Sequence, residues 1–241
     1  MDEKTFERVE KKYLLTKNEA DRLANIIRLY MHEDNYFKSK VFNLYYDTPN
    51  YDLIIKSIDN PIFKEKLRAR SYGGYNKVFL EIKTKLRGKE FNVGHKRRVL
   101  MTKSDYRKFT NRKKTAESIV LKTSADKHDL QIAREVDHLM QYFNLEPKIL
   151  VYYDRESYVG ANSLRITFDS NLHYRDQDLK FVRRKKDPAF FNSEKCIIME
   201  VKAHGVLPLW LSRALSESKI FPARFSKIGK VYEALRKEQN V

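Results

Sequence analysis

Residues Phe63–Leu100 read FKEKLRARSYGGYNKVFLEIKTKLRGKEFNVGHKRRVL. Basic side chains recur at every second position: Lys66, Arg68 and Arg70, then Lys83 and Lys85, then Lys96 and Arg98. Between them stand apolar or small residues, Leu67 and Ala69, then Leu80 and Ile82. Successive side chains of a strand point to opposite sides, so this alternation predicts three consecutive strands, each with one apolar and one cationic face. The Gly73-Gly74 pair and Gly88 fall where the connecting turns belong. A sheet face this cationic calls for an anionic partner.

The flanking sequence extends the pattern in both directions. Upstream, Phe6 to Leu15 reads as a strand with Arg8, Glu10 and Lys12 on one face. Thr16 and Glu19 form a capping box. Ala20, Leu23, Ile26, Ile27 and Tyr30 then give a helical stripe through about His32. Val41 to Asp47 is a further strand, ended by the turn signal Thr48-Pro49-Asn50. Downstream, the chain becomes helical from Thr102 to about Leu145, most clearly over Asp126 to Phe143. Strands resume at Lys148–Tyr158, Leu164–Asn171 and Lys195–Lys202. Two helices close the chain, one begun by Pro208 and one from about Ser226 to Glu238. Between Tyr174 and Glu194, the run Arg183-Arg184-Lys185-Lys186 reads as a solvated loop, with a docking patch for a long anion as the sharper alternative. The sum is an α+β chain with about eight mostly antiparallel strands. A single domain over residues 1–241 is expected, with a helical insertion at about 103–146.

Composition narrows the function classes. The 241 residues are 41% hydrophobic, with 15 Tyr and 14 Phe, enough to bury a core. Net charge is +17, which concentrates anions such as nucleic acid, phosphates or an acidic membrane surface. Cys196 is the single cysteine, which excludes an internal disulfide; beside Ile197 and Ile198 it reads as a buried thiol. No apolar run approaches the roughly 20 residues of a membrane span. The start, MDEKTFERVEKKY, is unlike a signal peptide, so a cytoplasmic location is expected.

The polar residues in phase are the bases Lys12, Lys66, Arg68, Arg70, Lys83, Lys85, Lys96, Arg98, Arg155, Arg165 and Lys202, and the acids Glu10, Glu81, Asp169 and Glu200. A water-facing sheet also carries charges, but it mixes signs, because like charges directly opposite across strands repel. Closing the sheet into a barrel puts these side chains in a lumen, where weak screening strengthens both repulsion and anion binding. Carboxylates among the bases suit Mg²⁺ or Mn²⁺ held together with substrate phosphates, and phosphoryl transfer uses that combination. For each acid singly the alternative is an intra-sheet ion pair, and for Glu81, beside Lys83, that is the better reading. The histidines show no metal-ligand spacing, and no GxxxxGK[ST] or GxGxxG loop occurs.

Nine segments then fall in a familiar order: Glu10-Lys11-Lys12-Tyr13, Leu44-Tyr45-Tyr46-Asp47, Lys66-Leu67-Arg68-Ala69-Arg70, Leu80-Glu81-Ile82-Lys83, Lys96-Arg97-Arg98, Tyr153-Asp154-Arg155, Leu164-Arg165-Ile166-Thr167-Phe168-Asp169, Glu200-Val201-Lys202 and Phe225-Ser226-Lys227. Over about Phe6 to Tyr232 the chain resembles the catalytic domain of the vacuolar transporter chaperone (VTC) polyphosphate polymerases, within the triphosphate tunnel metalloenzyme superfamily. The resemblance implies an eight-stranded antiparallel β-barrel tunnel with peripheral helices and a C-terminal helix closing the site. It implies transfer of the γ-phosphoryl group of ATP onto inorganic polyphosphate, with Mn²⁺ or Mg²⁺. Arg68, Arg70, Arg155, Arg165 and Lys227 are then the catalytic candidates. Lys12, Lys66, Lys83, Lys85, Lys96, Arg98 and Lys202 are substrate-binding candidates, and Glu200 and Glu10 the metal ligands. The family's Ser-Lys-Tyr is Ser226-Lys227-Ile228 in this sequence. Regulatory and membrane-spanning domains attached to eukaryotic members are absent from it, so a stand-alone enzyme is expected. A triphosphate hydrolase is the main alternative. A nonenzymatic nucleic-acid binder fits less well, because few aromatics share the basic face.

Overall fold

A computed structural model of the chain describes residues 8–59, 62–88, 92–191 and 195–239. Phe6 of the expected first strand, and Glu194, lie outside the described residues. The elements follow in the order β1 (Arg8–Leu15), α1 (Lys17–Ile27), β2 (His32–Asp47), α2 (Asp52–Ile58), β3 (Phe63–Tyr72), β4 (Val78–Arg87) and β5 (Asn92–Met101). Then come α3 (Lys103–Thr110), α4 (Ala116–Thr123), α5 (Lys127–Tyr142), β6 (Glu146–Val159), β7 (Arg165–Arg175), β8 (Ile197–His204), α6 (Leu209–Glu217) and α7 (Lys227–Gln239). The eight strands form one sheet in the order β1-β8-β7-β6-β2-β3-β4-β5, with β1 and β5 as terminal strands. The class is α+β with antiparallel pairing, as the alternating stretches predict.

Two compact units share the chain. One holds the segments up to Lys40, Tyr153–His173 and Pro188–Phe225; the other holds Val41–Tyr152, Tyr174–Asp187 and the segment from Ser226. Strands β2, β6 and β7 contribute to both. In the second unit, Leu44, Tyr46, Leu67, Ala69, Leu80, Ile82 and Val99 face the helices α3–α5, whose Tyr106, Phe109, Ile119, Val136 and Leu139 complete the core. In the first unit, Tyr13, Leu15, Ile166, Phe168, Met199 and Val201 pack against Leu23 and Ile27 of α1 and Leu211 and Leu215 of α6. Every second residue of a strand is therefore committed to burial, which fixes its register and sends the alternate residues to the other face.

Local sequence explains the element ends. Thr16 Oγ1 accepts from Glu19 N at 3.2 Å while Glu19 accepts from Thr16 N at 2.7 Å, the reciprocal cap expected for α1. Gly74 takes φ +88 in the β3–β4 turn, a conformation glycine adopts without a Cβ clash. The Pro208-begun helix and the final helix appear as α6 and α7.

Three boundaries differ from the sequence reading. Helix α1 stops at Ile27, and His32 opens β2 instead of closing a helix. Strand β2 begins nine residues before Val41, but its first part is mostly exposed and alternates only between exposed and half-buried, from Tyr36 to Lys40. Helix α2 was not expected. It has no side-chain N-cap at Tyr51; its first amide, Asp52 N, donates to Thr48 Oγ1 at 3.0 Å, and the next two donate to Asp47, from Leu53 N at 2.9 Å and Ile54 N at 2.9 Å. No helix among the described residues is long and apolar enough to cross a membrane.

Leu80, the third residue of β4, is fully buried. Leu80→Ala is expected to cost about 2–5 kcal/mol of stability, read as a lower denaturation midpoint at unchanged m-value.

Candidate active site

The cationic face of the second unit is built by register. Antiparallel pairing sets Lys66 opposite Lys83 and Lys83 opposite Lys96, so three lysines form a row across β3, β4 and β5. The next row is Arg68, Glu81 and Arg98. Arg70 follows opposite Phe79 and Asn43, and Lys85 lies opposite Lys64 and Gly94. The predicted phase is thus observed in all three strands. Lys64 belongs to the same phase, and extending the alternation one step upstream would have found it.

Glu81 is the counter-charge of this face. It is fully buried. Its Oε2 accepts from Arg68 Nε at 2.7 Å, with Arg68 Nη2 at 2.6 Å and Arg70 Nε at 3.9 Å. Lys96 Nζ lies 2.7 Å from Oε1, an ion pair without hydrogen-bond alignment. Burial opposes the charge on Glu81, but Arg68, Arg70 and Lys96 outweigh it and hold its carboxyl well below the usual range. The intra-sheet ion pair expected of Glu81 is thus observed, with strong partners from β3 and β5, where the register places them.

Neighbouring contacts aim the cations. Arg68 and Arg70 are only 7% and 8% exposed. Arg70 Nε donates to Asn43 Oδ1 at 2.8 Å, and Arg68 Nη1 lies 3.5 Å from the Tyr45 hydroxyl. The Arg98 guanidinium stands 4.8 Å above the Phe79 ring. Burial lowers the pKa of Lys96, Glu81 raises it, and Arg70 and Arg68 lower it again; the net result is a lowered value. Lys227 is positioned differently, as the first residue of α7, which packs on α2 through Gly229 beside Ile58 and Tyr232 beside Tyr51.

The first unit carries the remaining candidates on one face. Pairing sets Glu10 opposite Lys202, Lys12 opposite Glu200, Arg165 opposite Lys202 and Thr167 opposite Glu200. Lys202 Nζ lies 2.5 Å from Glu200 and 3.8 Å from Glu10, while Lys12 Nζ lies 3.5 Å from Glu10. Lys12 also donates to the Phe225 carbonyl at 3.2 Å. Arg155 grips the buried Asp169 with two bonds, of 2.6 Å and 2.8 Å. Burial disfavours the charge of Arg155, but Tyr153, Asp169 and Glu200 outweigh it and raise its pKa. Arg165 is tied to Asp34 at 2.8 Å and to Ser157 at 3.1 Å. Asp34, Ser157 and Asn43 escaped the sequence reading; Asp34 and Asn43 meet their arginines only through long-range pairing, and Ser157 meets Arg165 across adjacent strands.

The donor set can be tested for a divalent cation. Among the described residues no group of three or more His, Cys, Asp or Glu could hold a metal ion. Glu10 and Glu200 nonetheless share the ammonium of Lys202, and Thr167 Oγ1, opposite Glu200, is buried without a protein partner. Two carboxylates and a spare hydroxyl fit a hard ion whose remaining ligands are phosphate oxygens. They fit a soft or fully protein-caged metal poorly.

Cys196 departs from expectation. It is half-buried and lines a cavity of about 360 Å³ with Lys17, His173 and Phe191.

Comparisons with known proteins agree with this architecture. A family model described as the VTC domain matches residues 7–236. No curated protein sequence gives a significant match. Among solved structures, the chain is similar to a putative adenylyl cyclase, HpAC1 from Hippeastrum, described as having a dominant triphosphatase activity. The TM-score is 0.55 at 13% identity, covering 95% of this chain and 96% of that one. This likeness establishes the fold. A protein from Pyrococcus horikoshii OT3 (TM-score 0.48, 14% identity, 95% and 99% covered) and a putative adenylate cyclase from Vibrio parahaemolyticus (TM-score 0.49, 13% identity, 94% and 98% covered) resemble it too weakly to carry an argument.

Removing the Glu81 charge leaves the buried Arg68 and Arg70, and the more exposed Lys96, uncompensated. Glu81→Gln is expected to cost about 3–5 kcal/mol at neutral pH. The folded-state pKa of Glu81 lies below its ordinary value of 4.5. Its stabilisation is therefore complete above that value and is lost as pH falls below it. Urea midpoints across this range should fall more steeply with acid for the native chain than for Glu81→Gln.

Proposed function

The chain belongs to the VTC domain family, and on that premise we propose that it is an ATP-dependent polyphosphate polymerase. The observation that carries this reading is the row Lys66, Lys83 and Lys96 beside Arg68, Arg70 and Arg98, with the single carboxylate of Glu81 among them. Like charges directly opposite across strands cost stability. A face so arranged gains most from a ligand whose charges repeat along a line, and a phosphate chain is such a ligand. The family's triphosphate substrates have the same property.

The roles follow from the chemistry. Lys66, Arg68, Arg70, Lys83, Lys85, Lys96 and Arg98 bind phosphate oxygens, and Lys12, Lys202 and Lys227 add further cations. Arg155 and Arg165, each held by a carboxylate, act as oriented donors to the transferred phosphoryl group. Glu200 and Glu10 would hold Mn²⁺ or Mg²⁺, an ion that would supply charge neutralisation to phosphate oxygens. The end of a polyphosphate is already an anion, so the attacking oxygen needs no general base. Holding two mutually repelling anions in line is then the main catalytic task, and fixed cations do it.

Hydrolysis of a triphosphate is the second reading. It is favoured by the fold shared with a protein described as a triphosphatase, and it would use the same cations with water as the attacking group.

Incubation with ATP and Mn²⁺, followed by gel separation, distinguishes the two. The polymerase gives a ladder of acid-labile phosphate polymers. Orthophosphate without polymer would assign a hydrolase, and no consumption of ATP would overturn both. Arg70→Ala should lower the rate by ~100-fold while the protein remains folded.

A further inference from the structure

The run Arg183-Arg184-Lys185-Lys186 is exposed in a loop, as expected from sequence, but the backbone beneath it is held by buried contacts. Arg175, at the end of β7 and 6% exposed, is turned into the segment that follows. Its guanidinium donates to the Asp178 carbonyl at 2.9 Å, to the Lys180 carbonyl, to the Val182 carbonyl at 3.0 Å and to Asp187 Oδ2 at 2.5 Å. The Tyr152 hydroxyl donates to Asp187 at 2.9 Å and to the Arg184 carbonyl at 3.3 Å. Arg175 and Arg183 both stand against the Tyr152 ring, at 5.9 Å and 5.7 Å. Arg184 pairs with Asp178. Phe181 stacks on Tyr106 of α3 at 5.3 Å and packs on Phe42.

A buried guanidinium is costly unless its donors are satisfied, so this loop is a built element with a fixed backbone. What it presents to solvent is four consecutive bases. A surface ordered in advance binds without the entropy loss of fixing a flexible segment. Phe181 is turned inward, leaving no aromatic platform for a nucleic-acid base. Of the run's preceding residues only Val182 adds exposed apolar surface, too little for insertion into a lipid surface. Tyr152 and Phe42 belong to the core with Leu67 and Leu80, so the loop is mounted on the side of the sheet opposite Arg68, Arg70 and Glu81.

We propose that the loop Asp176–Asp187 is a second, exterior docking surface for inorganic polyphosphate, engaged by long chains and not by a triphosphate. The identity of the occupant rests on the function proposed above; the surface itself rests on the Arg175 clamp. Lys185 and Lys186 are its exposed contacts.

The test compares the full chain with Lys185→Glu/Lys186→Glu and with a control of equal charge change on the helices, Lys122→Glu/Lys127→Glu. Labelled long-chain polyphosphate is titrated by anisotropy and tripolyphosphate by calorimetry, at several salt concentrations. The loop variant should keep its melting temperature and its tripolyphosphate affinity. It should lose about tenfold in long-chain affinity near physiological salt, with a shallower salt dependence, and the control should lose much less. An unchanged long-chain affinity, or an equal loss in the control, would overturn the proposal. So would displacement of the label by single-stranded DNA as readily as by unlabelled polyphosphate at equal phosphate concentration. If the predicted pattern appears while ATP yields no polymer, the docking surface stands and the polymerase reading falls.

Discussion

One buried carboxylate holds together a face that would otherwise repel itself. Glu81 sits among Arg68, Arg70 and Lys96 with its charge enforced by them. On its other side Leu80 and Ile82 are locked into the core, so β4 cannot shift register without exposing both. The apolar face therefore determines where the cations stand, and Glu81 makes their closeness tolerable. One negative charge does not balance the set. The remainder is a standing affinity for anions, built into the fold and not added by flexible surface side chains.

The first unit solves the same problem with different pairings. Arg155 is buried against Asp169, and Arg165 is tethered by Asp34. Lys202 is shared between Glu200 and Glu10. Each pair fixes the direction of a charge, which is what stabilising a highly charged transition state demands. The carboxylates are thus more than metal-ligand candidates. They also orient Arg155, Arg165 and Lys202.

Sequence revealed most where one physical requirement repeats. The alternation in β3, β4 and β5 was legible because the same strands must be apolar on one side and cationic on the other. The cap of α1 was legible because Thr16 and Glu19 are local partners. The exposed first part of β2 buries too little to leave a pattern, and α2 takes its cap from Asp47 and Thr48, upstream of the usual position. At the site, residue types and phase were readable, but partners were not. Glu81 has Lys83 two residues away, yet its strong contacts come from neighbouring strands. Asp34 meets Arg165 across 131 positions, and nothing local signals that. The Arg175 clamp was hidden for the same reason, since its partners are mostly backbone carbonyls.

The most direct measurement is protection of individual lysines from an amine-acylating reagent, with and without tripolyphosphate, mapped by mass spectrometry. Lys66, Lys83 and Lys96 should all become slower to react when the ligand is bound, while Lys122 and Lys219, exposed on other elements, keep their rates. Reaction of the three row lysines at the same rate in both conditions would contradict the claim that this sheet face exists to hold a phosphate chain.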